Sequence, residues 1–519
     1  MRLSALVLTS LIAFGLLAMH CGSDDAGSGP NGGGAASGDS GTPTGGAGGS
    51  DAGLKGGAAG VSNGGAAGAW AGAGGASGGA GSGGTAGVTG DFYVSKNGSN
   101  ADGLSWATAW NEMDQIQWAK VSPGDVILID GGDSEMVYTT PMKVGADGSQ
   151  GSPITVRLAS DAGRNGKAVI FGGMTELPYD DQPTYTGAMP TFDSGIDVGA
   201  HAWIVIDGSK WEGITIHGTG HDGIMLGAHT SDLTQEATNI VLRNIKIYDI
   251  GTPEQITDQT IQDNSYKDLT VGHWHAKANA TGIFFSYQPG ASHVTLERLI
   301  IANTSDEGIG EGPCRDLVIR QCWLDNGRLG ADGKIFNYHN HPDGIQQYNW
   351  GGDQGPWLIE DTIIGPRFMQ GLFPGVDSSH VNDVVVRNVL LLENVSSNTL
   401  LNAGSNWTFD HVTSFMSGKY DEYGSWNNFQ LYGNTGMTFT DSIFVGKGLR
   451  ASSPVSFTGN VYWKTDNSGL AGFDPSLNIE ADPQFVNADA LDLALASGSP
   501  ATGKGSRVTS VTRLYELFP

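Results

Sequence analysis

Cysteine is nearly missing from this chain of 519 residues, which has three: Cys21, Cys314 and Cys322. A disulfide framework is therefore excluded as its organising principle. Cys314 and Cys322 are separated by a strand-like run that holds their Cα atoms too far apart for a bridge unless the chain turns back. Both read as buried thiols, with no zinc site. Basic residues are scarce as well, 27 against 54 acidic ones, a formal charge of −27. Before residue 91 the only charged residues are Arg2, Asp24, Asp25, Asp39, Asp51 and Lys55, so nearly all of that charge falls on the remainder. Nucleic acid is a poor partner for such a surface, and a polyanion is repelled unless a bound cation or a local basic patch intervenes. Long apolar runs are lacking too. The stretch Leu3–Met19, preceded by Arg2, is too short to span a membrane and reads as an export signal.

What the chain has in excess is glycine, 81 residues. Residues 22–90 are almost entirely Gly, Ala and Ser, with no periodicity and little to bury. Such a segment is expected to be a disordered, flexible tether. It begins at Cys21-Gly22-Ser23-Asp24-Asp25, which resembles the acylated cysteine of a bacterial lipoprotein, although Ala18-Met19-His20 departs from the small residue usual before it. The resemblance implies a lipid anchor at Cys21 on the outer membrane or cell surface, with plain secretion as the alternative. Residues 91–519 form the folded region.

Two short motifs alternate along that region. One is an x-Gly-apolar step: Asp222-Gly223-Ile224, Thr281-Gly282-Ile283, Glu307-Gly308-Ile309, Asp343-Gly344-Ile345 and Gln370-Gly371-Leu372. The other is a polar residue inside a short apolar run, at Asn244, Arg298, Gln321, Asp361, Asn388, His411 and Asp441. A cycle of roughly 20–40 residues marks a solenoid. Val, Ile and Phe at period two make its units strands, so a parallel β-helix follows. In two later cycles Thr399 and Gln430 stand where the glycine is expected. The gap from the polar motif to the next glycine step varies widely, whereas the return gap is narrow. Most length variation therefore belongs to one turn of each coil, and the insertions Tyr248–Ala280, Asp325–Pro342 and Ser417–Asn427 should project from one side and wall a groove. Asn244, Gln321, Asp361, Asn388 and Asp441 are assigned to structure, as a polar ladder at a coil corner.

At the near edge, Asp91-Phe92-Tyr93-Val94-Ser95-Lys96-Asn97-Gly98 and Gly103-Leu104-Ser105-Trp106 lead through an amphipathic stretch at 113–119 to Pro123-Gly124-Asp125-Val126-Ile127-Leu128-Ile129, read as the first strand. At the far edge stand Ala481-Asp482-Pro483-Gln484-Phe485-Val486 and Gly498-Ser499-Pro500-Ala501. These passages, with the x-Gly-Ile ladder between them, closely resemble the pectin-lyase-like superfamily over essentially all of 91–519. The resemblance implies an all-β, right-handed parallel β-helix with caps at 91–122 and 480–519. It is specific for fold and weak for reaction, since that superfamily holds polysaccharide lyases, glycoside hydrolases, epimerases and non-catalytic adhesins. The Asn-Thr-Asp, Asp-Asp, Gly-His-Gly and Arg-Ile-Lys set of its polygalacturonase-type members is not present here.

The densest polar cluster is Asn337-Tyr338-His339-Asn340-His341-Pro342-Asp343-Gly344, where an insertion meets a strand. A His with a nearby carboxylate is suited to general-base work, so His341 and Asp343 are candidates at the base of the groove. One coil earlier stand Asp306, Glu307 and Glu311. Asp306, Glu307 and Asp343 on adjacent coils are candidate ligands for Ca²⁺, and Glu307 with Asp343 is a candidate acid–base pair for glycoside hydrolysis. Arg367 and Arg328 lie in nearby turns, and Lys334 and Lys419 in the walls, as groups that could act as the base of a uronate lyase or neutralise the uronate carboxylate, with Arg367 a catalytic candidate. Aromatic residues gather in or beside the insertions: Trp274, Tyr338, Tyr348, Trp350, Trp357, Tyr420, Tyr423 and Trp426. Flat rings with polar rims suit sugar faces, although about half are expected to pack the loops onto the rod. His273-Trp274-His275 is a weak metal signal. The resemblance and this cluster together imply an exported, monomeric, polysaccharide-active protein. A uronate lyase with His341 as base is favoured, with a hydrolase using Glu307 and Asp343 and a non-catalytic adhesin as alternatives.

Overall fold

A computed structural model of the protein describes residues 89–228, 235–257, 269–277, 280–287, 290–326, 340–348, 354–376, 380–402, 404–421 and 427–519. Three all-parallel sheets of 12, 12 and 11 strands make up the rod. The chain deals successive strands to the three sheets in turn. In one coil Ala237–Arg243 lies in the first sheet, Ile245–Ile250 in the second and Thr281–Phe285 in the third, after which Ala291–Glu297 returns to pair with Ala237–Arg243. This is a right-handed parallel β-helix, as expected.

Its core is a set of aliphatic columns. Ile216, Ile247, Ile301, Leu324, Ile364 and Leu391 line the inside of the second sheet, and Ile196, Ile224, Ile283, Ile309, Ile345 and Leu372 that of the third, all with no exposed surface. Burial on both faces of a parallel sheet explains why these strands read as runs of Ile, Leu and Val.

The two sequence motifs mark two points of each coil, the tight corner from the first sheet to the second and the start of the third-sheet strand. Asn244, Arg298, Gln321, Asp361, Asn388, His411 and Asp441 all have φ between 48° and 60°. Each is a single left-handed residue joining a first-sheet strand to a second-sheet strand, so the motif is a corner rather than a site inside one strand. Asn and Asp tolerate this backbone best, which accounts for their frequency. Side chains also link coils here, as in Asn244 Nδ2 to Asp207 Oδ1 at 2.8 Å and Arg298 Nε to Gln321 Oε1 at 3.1 Å. The glycine column opens the third sheet. A Cβ on Gly223 would fall 2.3 Å from Ile247 Cγ2, and one on Gly282 would fall 2.4 Å from Ile301 Cγ2. Only glycine lets the second-sheet isoleucine tuck beneath the corner. The register corrects the later cycles: Gln370 pairs with Ser397 and Leu372 with Thr399, so Asn398 and then Asn428, not Thr399 and Gln430, continue the glycine column. There the interior becomes polar, with Asn398 Nδ2 donating to Ser414 Oγ at 2.9 Å and to Asn428 Oδ1 at 3.2 Å.

The segments following Ile245–Ile250, Trp323–Asp325 and Thr413–Phe415 all run from the second sheet to the third. All three insertions therefore leave the same corner of the rod. The first contains an antiparallel hairpin, Thr252–Gln255 with Trp274–Lys277. In it His273 faces Asp181 at 3.0 Å and His275 faces Glu254 at 3.6 Å, so the two histidines do not converge.

Phe92–Val94 already belongs to the first sheet, paired with Val126–Ile129, so the first strand comes earlier than the sequence suggests. At the other end the tail runs back along the rod. Leu493, Ala501, Val508 and Leu514 pack on Ile363, Leu390, Phe415 and Ile443 of the second sheet's outer face. Arg507 pairs bidentately with Asp361 at 2.9–3.0 Å, and Trp211 Nε1 donates to the Phe518 carbonyl at 2.6 Å. Cys314 and Cys322 are buried free thiols.

Candidate functional site

The residue before each glycine step either begins a third-sheet strand, as Asp222, Thr281 and Gln370 do, or stands two residues ahead of one, as Glu307 and Asp343 do, and these residues stack. Ser194 pairs with Asp222 and Asp222 with Thr281, and Gln370 pairs with Ser397. The intervening register, Ile283 with Ile309, Ile309 with Ile345 and Ile345 with Leu372, carried back two residues, places Thr281, Glu307, Asp343 and Gln370 in the same column. A row of side chains at about 4.8 Å spacing results. Its members are buried: Asp222, Thr281 and Asp343 have no exposed surface and Glu307 has 1%.

Hydrogen bonds tie the column together. Ser194 Oγ donates to Asp222 Oδ2 at 3.0 Å, and Thr281 Oγ1 to Glu307 Oε2 at 3.1 Å. The Gln370 backbone N–H donates to Asp343 Oδ1 at 2.6 Å. With its amide nitrogen turned toward the carboxylate, as the network requires, the Gln370 side chain donates to the same group at 2.6 and 3.2 Å.

Around Glu307 three carboxyls converge. The ligand oxygens of Asp306, Glu307 and Glu311 lie within 4.8 Å of one another. Carboxyls this close repel one another when ionised and can bond only by sharing a proton. Burial raises the pKa of all three, and for Asp306 and Glu311 the charge of Glu307 adds to it. The expected ligand set changes accordingly. Asp343 is not within this group, because its carboxylate is engaged by Gln370 and His341. Glu311 takes its place, since a left-handed backbone at φ 85° carries its side chain back to Glu307. Three clustered carboxylate donors suit a hard cation such as Ca²⁺, which takes six to eight oxygens. Gln347, the register partner of Glu311, is fully buried with neither Oε1 nor Nε2 hydrogen-bonded among the described residues. The donor set thus fits Ca²⁺, and it also fits shared protons.

His341 sits beside Asp343, its Nδ1 3.6 Å from Oδ2, with 49% of its side chain exposed while Asp343 has none. Desolvation opposes the charged imidazole, but Asp343 and, behind it, Glu307 together outweigh it and raise the pKa above the usual value. Burial raises that of Asp343. Glu307 and Asp343, the expected acid–base pair of a hydrolase, are both closed to solvent, whereas the open group is the imidazole.

Arg367 does not join the cluster. Its guanidinium lies 3.6 Å from Asp325, whose pKa burial pushes up to about 6 against the pull of Arg367. Lys419 lies over the Tyr420 ring at 5.5 Å, in the corner insertion of a later coil. Trp357 is a core residue that donates to the Cys314 carbonyl at 2.8 Å, and Tyr420 is buried, so neither offers a ring to a sugar. Tyr348 is partly buried, and its pKa is raised by burial and by the charges of Glu307 and Asp306. Tyr338, Lys334, Trp350, Tyr423, Trp426, Arg328 and Cys21 lie outside the described residues.

Two site residues escaped the sequence reading. His221 Nδ1 bonds Asp222 Oδ1 at 2.8 Å, and Tyr287, 45% exposed, feels the charges of Glu311, Glu307, Asp306 and Asp222. The only sequence signal for His221 is its place directly before a column residue.

No protein-family model and no curated protein matches the chain. Among solved structures it is similar to the pectate lyase Pel9A, at 14% identity and a TM-score of 0.43, covering 79% of this chain and 90% of that one. It is also similar to a rhamnogalacturonan lyase, at 13% and 0.38, covering 82% and 98%. A third likeness is to PfbA, a surface adhesin of Streptococcus pneumoniae, at 10% and 0.35, covering 66% and 79%.

Proposed function

We propose that the protein cleaves a uronate-containing glycan by β-elimination at the third-sheet column, with His341 as the base. The observation that carries this reading is the contrast in exposure. The imidazole is open while the carboxyls behind it are closed, so the group that reaches a sugar is a nitrogen base held by a buried carboxylate. Neutral His341 takes the proton on the carbon next to the uronate carboxylate. The electron pair forms a carbon–carbon double bond, the bond from the adjacent carbon to the glycosidic oxygen breaks, and that oxygen takes a proton from water, while the imidazolium later returns its proton to solvent. Asp343, fixed by Gln370, orients the ring and stabilises the imidazolium that forms. Asp306, Glu307 and Glu311 would hold Ca²⁺, which, when bound, supplies positive charge to the substrate carboxylate. Export and a lipid anchor at Cys21 belong to the same proposal, with 22–90 as the tether. No helix among the described residues is long and apolar enough to cross a membrane.

The test incubates the whole protein with galacturonate, mannuronate and guluronate polymers and with neutral glycans, with Ca²⁺ and with chelator. Ultraviolet absorbance of the unsaturated uronate and reducing ends are followed together. Both should rise, and His341→Ala should abolish both. Reducing ends without absorbance would replace the lyase with a hydrolase, and binding without either signal would leave an adhesin.

A further inference from the structure

The column carries a second histidine–aspartate pair. Asp222, fully buried, stands three coil steps from Asp343, about 14 Å along the rod, with Thr281 and Glu307 between them. His221 mirrors His341: its Nδ1 is bound to the buried Asp222 at 2.8 Å, and 32% of its side chain is exposed. Its Nε2 has no partner among the described residues. The imidazole meets Phe284 edge-on at 5.5 Å, and Phe284 in turn meets Tyr287 edge-on at 5.4 Å. Phe284 is buried and forms a floor, while Tyr287 keeps 45% of its surface open. An open polar nitrogen and a partly exposed aromatic ring over an apolar floor match one sugar unit, the ring for its face and the nitrogen for a polar substituent.

We propose that His221 and Tyr287 form a remote subsite, binding a uronate unit several sugars from the bond cleaved beside His341. This rests on the lyase reading above and adds to it a direction and a minimum length of substrate. The chain lies along the column, parallel to the rod axis, and cleavage depends on filling a position three coils away. Asp222, Asp193 and Glu307 favour the imidazolium against desolvation, which raises the share of rings whose Nε2 has a proton to offer to an anionic group. A hydrogen bond of that kind is one of the stronger ones available to a protein.

The experiment uses the whole protein, wild type, His221→Gln and Tyr287→Ala, with oligomers of graded length made from whichever uronate polymer the wild type cleaves. In the wild type KM should fall sharply once the oligomer is long enough to span both histidines. In His221→Gln that fall should shrink by about tenfold, the loss of one charge-assisted contact, and it should appear in KM rather than kcat. Calorimetric binding of the long oligomer in a His341→Ala background should show the same loss. An unchanged length dependence in His221→Gln would overturn the subsite while leaving the lyase standing. So would an equal loss at every length with a lowered thermal midpoint, since that marks a structural anchor. If the wild type releases no unsaturated ends from any uronate polymer, the lyase reading fails first and the subsite falls with it.

Discussion

The Nδ1 of His341 lies 3.6 Å from Oδ2 of Asp343, a carboxylate with no exposed surface that Gln370 clamps from the next coil. Because Asp343 raises the pKa of His341, the neutral imidazole becomes the main form at a higher pH than in an ordinary histidine, and activity should climb with pH through that raised value. Removing the charge removes the shift. Asp343→Asn should move the acid limb of the kcat/KM profile to lower pH and lower its plateau, since the ring also loses its orienting partner. His341→Ala should lose about 10²–10⁴ in rate, the usual contribution of a positioned base. A pH–rate profile of the two variants checks both, and an unmoved acid limb in Asp343→Asn would remove His341 from the role of base.

Asp306, Glu307 and Glu311 form a largely buried cluster of carboxyls whose pKa values are all raised. A carboxyl whose pKa is higher folded than unfolded binds more protons in the folded state between the two values. The stability it contributes is complete below the ordinary carboxyl range and is lost as pH rises through the raised value. The metal-free protein should therefore melt at progressively lower temperature from about pH 4 upward. Ca²⁺ should reverse this, because ionised carboxylates bind it and protonated ones do not. A calorimetric series at pH 5 and 8, with and without Ca²⁺, should show the larger cation effect at pH 8 and should show it diminished in Glu307→Gln.

Much of this arrangement was legible in the sequence, for reasons that the packing makes plain. The x-Gly-Ile step survives from coil to coil because Ile247 and Ile301 occupy the space a Cβ would need, and a steric rule of that kind leaves a fixed letter. The left-handed corners left a softer signal, since Arg298, Gln321 and His411 share the backbone of Asn244 without sharing its chemistry. Where Asn398 and Asn428 replace the glycine, the interior changes from aliphatic to amide, and pattern matching slipped by one residue at the first position and by two at the second. Asp343 and Glu307 were found because they precede the glycine, and His341 because it closes an insertion. His221 was passed over because only a short turn separates its strand, Asp222–Leu226, from the preceding one, Ile214–His217. Glu311 could be seen as an acid, but its meeting with Glu307 depends on a backbone angle that no residue type announces.

The glycine column gives a stability prediction independent of any activity. A Cβ at Gly344 would lie 2.5 Å from the Gly371 carbonyl oxygen and 2.6 Å from Ile364 Cγ2. One obstacle is backbone and the other is a core side chain with no exposed surface, so neither yields cheaply. Gly344→Ala should cost about 1–3 kcal/mol by overpacking, read as a lower urea midpoint. It should also displace Asp343, the preceding residue, so activity should fall in the same variant. An unchanged midpoint would mean that the third sheet can shift outward without loss.

The tail that lies along the second sheet separates two kinds of contact. Arg507 and Asp361 form a bidentate pair, but the Arg507 side chain is 55% exposed, and exposed pairs contribute at most about 1 kcal/mol. Leu514 is different: it has no exposed surface and packs with Val508 among the outward aliphatic residues of the second sheet. Truncating it removes buried apolar area and leaves a cavity, at a cost of about 2–5 kcal/mol. Leu514→Ala should therefore free the last helix, Val511–Leu517, whereas Arg507→Ala should leave it docked. Limited proteolysis distinguishes the two. Early cleavage after residue 500 in Leu514→Ala alone would show that burial holds the tail, and early cleavage in Arg507→Ala would show that the ion pair does more than its exposure allows.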